Sequence, residues 1–388
     1  MTTKRPACYA PWTHLNTDAA GLMRPCCICK LKIKANSIEE GWNSPEMKSI
    51  RVRMLNGEIP PEYCSSCINP ASTIVYSSTF DLDVAKGTKA QEVLDKTLPD
   101  GTTTFTPVSI DLRTHLCNLK CRTCSAFASS ALRAEQSKFK IPTMVYHTTP
   151  LSDLSLKDMT LNGENFIDNA IKFYWAGGEP FMSPIHWEIM QYLVDTKNTD
   201  QVIFYSTNAT FPGKTLEKTI NLLKHFTKVE LVVSIDGDGD YGNYVRAGSD
   251  MDEVWDNIAI LKKHLPNAIF GVNTTITNAG ILSLAALLKR CEDHDIKWIG
   301  HLLNRWEYNQ YLSEKILTKE VFLENVDAAI KVTRNKEALA SLRFIRDSYT
   351  SLDVTETDFV ESARYEEIRG MKGFFAEKIL PFTNRGSK

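Results

Sequence analysis

From residue 106 onward, short apolar runs alternate with helical patterns, and this alternation restricts the fold more than any other feature of the chain. The runs cover 108–112, 171–175, 201–206, 228–235, 268–275 and 297–303. Between them, apolar residues recur at helical spacing near 126–138, 152–170, 184–197, 213–226, 251–264 and 280–293. Strands separated by helices cannot be joined by tight hairpins. They pair in parallel, with each helix carrying the crossover, so the region reads as α/β with six strand–helix units. In β/α barrels chemistry gathers at the C-terminal ends of the strands.

Two signatures sit at such ends. The first is Cys117-Asn-Leu-Lys-Cys121-Arg-Thr-Cys124, a CxxxCxxC spacing. Thiolates this close suit a shared metal centre. Four normally hold a [4Fe–4S] cube, so three without a fourth beside them suggest a cube with one iron left open. The alternative is zinc, which more often takes paired CxxC knuckles. The second signature is Gly177-Gly178-Glu179-Pro180, which follows the run 171–175. On its own it is an ordinary turn.

Together, the cysteine loop and the Gly-Gly-Glu-Pro turn resemble the radical S-adenosylmethionine (SAM) superfamily over residues 106–310. The resemblance implies a partial (β/α)6 TIM-like barrel. It implies a cube on Cys117, Cys121 and Cys124 whose open iron takes the amino and carboxylate groups of SAM. It further implies reductive cleavage of SAM to methionine and a 5′-deoxyadenosyl radical. By position in the family's motifs, Gly177, Gly178 and Glu179 contact the SAM amino group. Ser234 and Asp236 are the ribose and carboxylate contact, and Arg246 grips the carboxylate. Thr123 stands where most members carry an aromatic residue, which keeps a backbone contact to adenine and loses stacking. Asn208 and Asn273 end strands at the same mouth, as contacts to SAM or substrate or as structural caps.

Residues 1–75 hold six more cysteines: Cys8, Cys26, Cys27, Cys29, Cys64 and Cys67. Ser37 and Glu40 form a capping box, Pro45 opens a second helix and Asn56-Gly57 stops it. Met47, Ile50 and Met54 form the apolar stripe of that helix, with Lys48, Arg51 and Arg53 on its wetter side. The arrangement resembles a twitch (SPASM-like) auxiliary cluster domain. By position its ligands to an auxiliary [4Fe–4S] cluster are Cys8, Cys26, Cys64 and Cys67, with Cys27 as the substitute for Cys26 and Cys29 unassigned. A structural zinc is the alternative.

The remaining readings are broader. Residues 76–105 read as a linker and 311–388 as a helical C-terminal extension, giving four segments. Asn304, Arg305, Trp306, Glu307 and Tyr308 are candidate substrate contacts after the sixth strand. Cys291, at a helix end on the opposite rim, reads as a small buried residue. A net charge of −2 supplies no basic field for nucleic acid. No apolar run reaches membrane-span length, the first residues lack a signal-peptide core, and ten cysteines fit metal ligation in a cytoplasmic protein better than disulfides. The expected partners are a peptide, protein or small-molecule substrate and an external electron donor such as flavodoxin or ferredoxin. Twitch and SPASM members mostly modify peptides. Oxidation or rearrangement of a small molecule is the alternative, and a non-catalytic cluster protein the remote one.

Overall fold

The structure is a computed structural model, and the described residues are 6–68, 90–141, 148–303, 312–352 and 356–384. The fold is mixed α/β and built on mostly parallel strands. The chain divides into two compact units. One comprises Met1–Cys117, Pro142–Ser206 and Asn221–Val229; the other comprises Asn118–Ile141, Thr207–Ile220 and Glu230–Lys388.

In the first unit, β1 (His14–Thr17) pairs antiparallel with β2 (Met23–Arg24) and parallel with β3 (Ser109–Thr114). A short hairpin, β4 (Thr160–Leu161) with β5 (Glu164–Asn165), stands apart. Then β6 (Lys172–Gly177) runs parallel to β3, and β7 (Val202–Thr207) runs parallel to β6. The fully buried β1 comes from inside the cysteine-rich N-terminal segment, where no strand was expected. Its sequence, His-Leu-Asn-Thr, is too short to display a period.

The second unit holds most of β8 (Lys228–Ser234), with β9 (Ile269–Ile276) and β10 (Lys297–Leu302), all parallel. Val229, Leu231 and Val233 are buried, whereas Glu230, Val232 and Ser234 are half-buried. That alternation is the pleat of a strand covered by helices on one face. Each fully buried Leu or Val is worth roughly 1.5–3 kcal/mol. The register sets Ser234 opposite Asn273, so both look out from the same face at the same height.

All six core strands lie within two residues of their expected bounds, and the helix Met251–His264 coincides with the expected one. The expected helix at 152–170 is absent. That segment forms three 3-10 turns and the β4–β5 hairpin, turning through Asn162 and Gly163, both at positive φ. Its buried Leu151, Met159, Leu161, Phe166 and Ile167 imitate a helical stripe while lining a looped path. The C-terminal extension is helical, with Lys319–Val332, Lys336–Asp347 and Glu356–Ile368.

The helix Pro45–Leu55 starts on the Ser44 cap and ends at Asn56. Arg51 corrects the reading of its wet face, because it is fully buried. Its Nε donates to the Pro11 carbonyl at 3.0 Å, its Nη1 donates to Asn43 Oδ1 at 2.9 Å, and it stacks 5.0 Å above Trp42. Burial pulls its pKa down to about 9. The capping box is also altered. Ser37 caps Glu40 as expected, but the Glu40 carboxylate takes the Asn36 N–H.

Candidate functional site

In the first unit, parallel pairing places Gly177 opposite Thr114. Gly177 has φ +108, and a Cβ there would lie 2.5 Å from the Thr114 carbonyl oxygen. Only glycine lets the strand end come this close. The Gly178 N–H then donates to the Thr114 oxygen and the Glu179 N–H to the Leu116 oxygen, both at 2.7 Å. Thr114 Oγ1 accepts the Leu116 N–H at 3.0 Å. The Gly-Gly-Glu turn thus fixes the three residues that lead into buried Cys117. Glu179 is 1% exposed and caps the 3-10 turn Pro180–Met182 through the Phe181 N–H.

In the second unit, the rest of the cysteine loop is bound by its backbone. The Cys124 N–H donates to the Cys121 oxygen, closing a turn with Arg122 and half-buried Thr123 at its corners. The Lys120 N–H donates to the Ala247 oxygen at 2.8 Å and the Arg122 N–H to the Val245 oxygen at 2.7 Å. Asn118, not singled out from sequence, holds the start of the loop. Its Oδ1 accepts from Asn208 Nδ2 at 3.0 Å and its Nδ2 donates to Thr210 Oγ1 at 2.7 Å. Thr210 in turn donates its N–H and hydroxyl to Asn208 Oδ1. Asn208 therefore braces the loop directly.

Asp236 is buried with both oxygens engaged. Oδ2 accepts from Arg246 Nη1 at 2.9 Å and Oδ1 accepts the Thr275 N–H at 2.8 Å. Gly280 makes this possible, because any Cβ there would lie 1.9 Å from the Asp236 carbonyl oxygen. The carboxylate orients the Arg246 guanidinium. Beside this pair, half-buried Asn273 keeps its Oδ1 buried without a hydrogen-bond donor. Burial pushes the Cys121 thiol up, opposed most by Arg246 and then by Arg369, with Asp236 adding to the rise.

The N-terminal cysteines surround a pocket in the first unit. Its walls are Cys8, Cys26, Cys29, Cys64 and Cys67 together with apolar side chains such as Ile50 and Met54. Cys27 is not among them. The Cys29 N–H donates to the Cys26 oxygen, so residues 26–29 form a turn with Cys27 at its corner. Cys26 and Cys29 line the pocket. Cys29, left unassigned from sequence, lies within hydrogen-bonding reach of Cys64, which together with burial pushes its thiol up. Cys64 sits at a kink in the helix Pro61–Ile68, with φ −112 and ψ 23. Burial first, then neighbouring Cys27, Cys29 and Cys8, push the Cys26 thiol well up. Such a set of soft donors gains most from a cation that takes thiolates. Among the described residues, no group of three potential ligands stands close enough together to hold one metal ion.

Asn304, Arg305, Trp306, Glu307 and Tyr308 lie outside the described residues. Cys291 is buried at the end of the helix Leu284–Asp293, as expected, and burial pushes its thiol up. Among the described residues no helix is long and apolar enough to cross a membrane.

Comparison with known proteins gives one family match. Residues 8–68 match SPASM, an iron–sulfur cluster-binding domain. No curated protein matches the chain. Solved structures with similarity include native anSMEcpe with bound AdoMet, at 18% identity and TM-score 0.39, with 63% of each chain covered. They also include Streptococcus suis SuiB bound to S-adenosylmethionine, at 14% identity and TM-score 0.40, covering 69% of this chain and 56% of that one. SuiB bound to its precursor peptide SuiA aligns at 13% identity and TM-score 0.36, over 68% and 53% of the two chains. The chain therefore spans less than two thirds of the length of these structures. Of the whole sequence, it is the N-terminal cysteine segment that is matched to a family, as an iron–sulfur cluster-binding SPASM domain.

Proposed function

We propose that this chain is a radical SAM enzyme with an auxiliary iron–sulfur cluster in its N-terminal domain, and that it modifies a peptide or protein in the cytoplasm. The observation that carries the reading is the Gly-Gly-Glu turn hydrogen-bonded to Thr114 and Leu116, the residues entering the CxxxCxxC loop. Two motifs some fifty residues apart in sequence are tied by parallel register and a glycine that admits no side chain.

The residues fit the groups they would hold. Cys117, Cys121 and Cys124 are the ligands of a [4Fe–4S] cluster with one open iron. Such a cluster, once bound and reduced by an external donor such as flavodoxin or ferredoxin, would supply the one-electron reduction that splits SAM into methionine and a 5′-deoxyadenosyl radical able to take a hydrogen atom from the substrate. Gly177 and Gly178 offer an approach free of side chains, and Glu179 provides a carboxylate for the SAM ammonium. Arg246, oriented by Asp236, presents a planar fork suited to a carboxylate. Asn273 Oδ1, buried without a donor, suits a ribose hydroxyl or the ammonium. Four of Cys8, Cys26, Cys29, Cys64 and Cys67 ligate the auxiliary cluster.

The test is electron paramagnetic resonance of the reduced, reconstituted protein with and without SAM. A change in the loop cluster's signal on adding SAM, lost in Cys117/Cys121/Cys124→Ala, is expected. An unaltered spectrum, or zinc in place of iron, overturns the reading.

A further inference from the structure

The C-terminal extension has no role in the reading above, yet its helix Glu356–Ile368 and the following Arg369 reach both residues flanking Cys121. On one side, Lys120 Nζ lies 3.0 Å from Glu135 Oε1. The same carboxylate takes Arg369 Nε at 3.2 Å and Nη2 at 2.7 Å. The Arg369 and Glu135 side chains are 3% and 4% exposed. Burial alone would raise the Glu135 pKa, but Arg369 and then Lys120 hold it below the ordinary carboxylate value. On the other side, the Arg122 guanidinium lies 3.9 Å over the Tyr244 ring, and its Nε donates to the Tyr244 carbonyl. The Tyr244 hydroxyl donates to Glu366 Oε1 at 3.0 Å and lies 2.9 Å from Ser362 Oγ, while its ring stacks on Phe374 at 4.3 Å. Glu366 also takes the Phe375 N–H.

We propose that this C-terminal segment is a brace for the cluster loop, with Arg369 and Glu366 as positioning residues that hold Lys120 and Arg122 on either side of Cys121. The inference rests on the loop cysteines ligating a cluster. The bracing side chains also leave the loop rich in cations. Lys120, Arg122, Arg246 and Arg369 stand against Glu135, Asp236 and Glu366. Arg122 is 3% exposed, and its Nη1 and Nη2 are buried with no hydrogen-bond partner. A buried cation without an anion is costly. In this proposal the thiolates and sulfides of a loop-bound cluster would carry the missing negative charge. The brace therefore holds the loop in a shape that binding of the anionic cluster completes, and the fixed cations make its reduction easier.

The experiment uses the full chain, reconstituted anaerobically, as wild type, Arg369→Gln, Arg369→Lys, Arg122→Gln and Arg122→Lys. Iron content and a reductive titration followed by electron paramagnetic resonance are the readouts. The loop cluster is identified as the signal missing from Cys117/Cys121/Cys124→Ala. We expect Arg122→Gln to make reduction of that cluster at least tenfold less favourable at a given potential, equal to 59 mV for one electron. Arg122→Lys should restore most of the shift. We expect Arg369→Gln to lose loop-cluster iron while auxiliary iron stays, with Arg369→Lys partly retaining it. Wild-type iron and potential in Arg369→Gln and Arg122→Gln would overturn the proposal, as would Lys variants as impaired as the Gln ones. Absence of the loop signal from the wild type would instead refute the cluster reading on which the proposal rests.

Discussion

The N-terminal pocket and the cysteine loop both gather thiols, but in opposite ways. The pocket collects five cysteines from three stretches of chain and surrounds them with proline, isoleucine and methionine. Burial and neighbouring thiols push two of them, Cys26 and Cys29, up. The loop takes its cysteines from eight consecutive residues and meets charge instead. Arg122 abuts Tyr244, Lys120 and Arg369 share Glu135, and Asp236 steers Arg246. An apolar site with surplus sulfur suits a fully ligated cluster. A site short of sulfur and rich in oriented charge suits a cluster that must also hold an ionic ligand.

The sharpest way to break this contrast is to delete each thiol set. Cys117/Cys121/Cys124→Ala should lose about four irons and keep about four, since each cube holds four. Cys64→Ala with Cys67→Ala should lose the complementary set. Iron and sulfide analysis measures both, and a contrast in which either variant empties both sites would dissolve the comparison. Next in size, Cys29→Ser should lower auxiliary iron, whereas Cys27→Ser should leave it near wild type, because only Cys29 faces the pocket. Equal losses would mean the turn at 26–29 is set differently.

Gly177→Ala tests the loop side. The added methyl group meets the Thr114 oxygen and an unfavourable φ, which should cost about 1–3 kcal/mol in chemical denaturation. An unchanged midpoint would contradict the close approach. Asp236→Asn keeps the shape but weakens the hold on Arg246. It should raise the SAM dissociation constant roughly tenfold by calorimetry, from the loss of a charge-assisted hydrogen bond. No change would remove Arg246 from the SAM site.

The smallest effect is on pH dependence. Folding raises the pKa of Cys26 and Cys121 above the unfolded value of about 8.5. The iron-free fold is thus favoured below about pH 8.5 and loses stability as pH rises beyond it, where the unfolded chain ionises first. Thermal melting of iron-free protein should show this decline, and Cys26→Ser should flatten it more than Cys121→Ser, because Arg246 already offsets burial at Cys121. An iron-free protein as stable at pH 10 as at pH 7 would contradict it.

The six core strands could be read from sequence because each carries its own apolar run. The loop 117–124 stood out because its cysteines are close together in sequence. What could not be read depends on distant partners or on chain direction. Residues 152–170 carry apolar spacing that fits a helix, and only the Asn162-Gly163 turn betrays the hairpin. Cys29 and Cys27 differ by which corner of a four-residue turn they occupy, which composition does not encode. Arg51 looks like a solvated face until Pro11, Asn43 and Trp42 enclose it. Glu135, Tyr244, Glu366 and Arg369 come from three parts of the chain, and no local pattern marks them.

The central claim is that the loop is built to cleave SAM. The most direct measurement is the release of 5′-deoxyadenosine and methionine from SAM by the reconstituted protein under dithionite. The account predicts equal amounts of both from the wild type and neither from Cys117/Cys121/Cys124→Ala. A fully iron-loaded, reduced wild type that leaves SAM intact would contradict it.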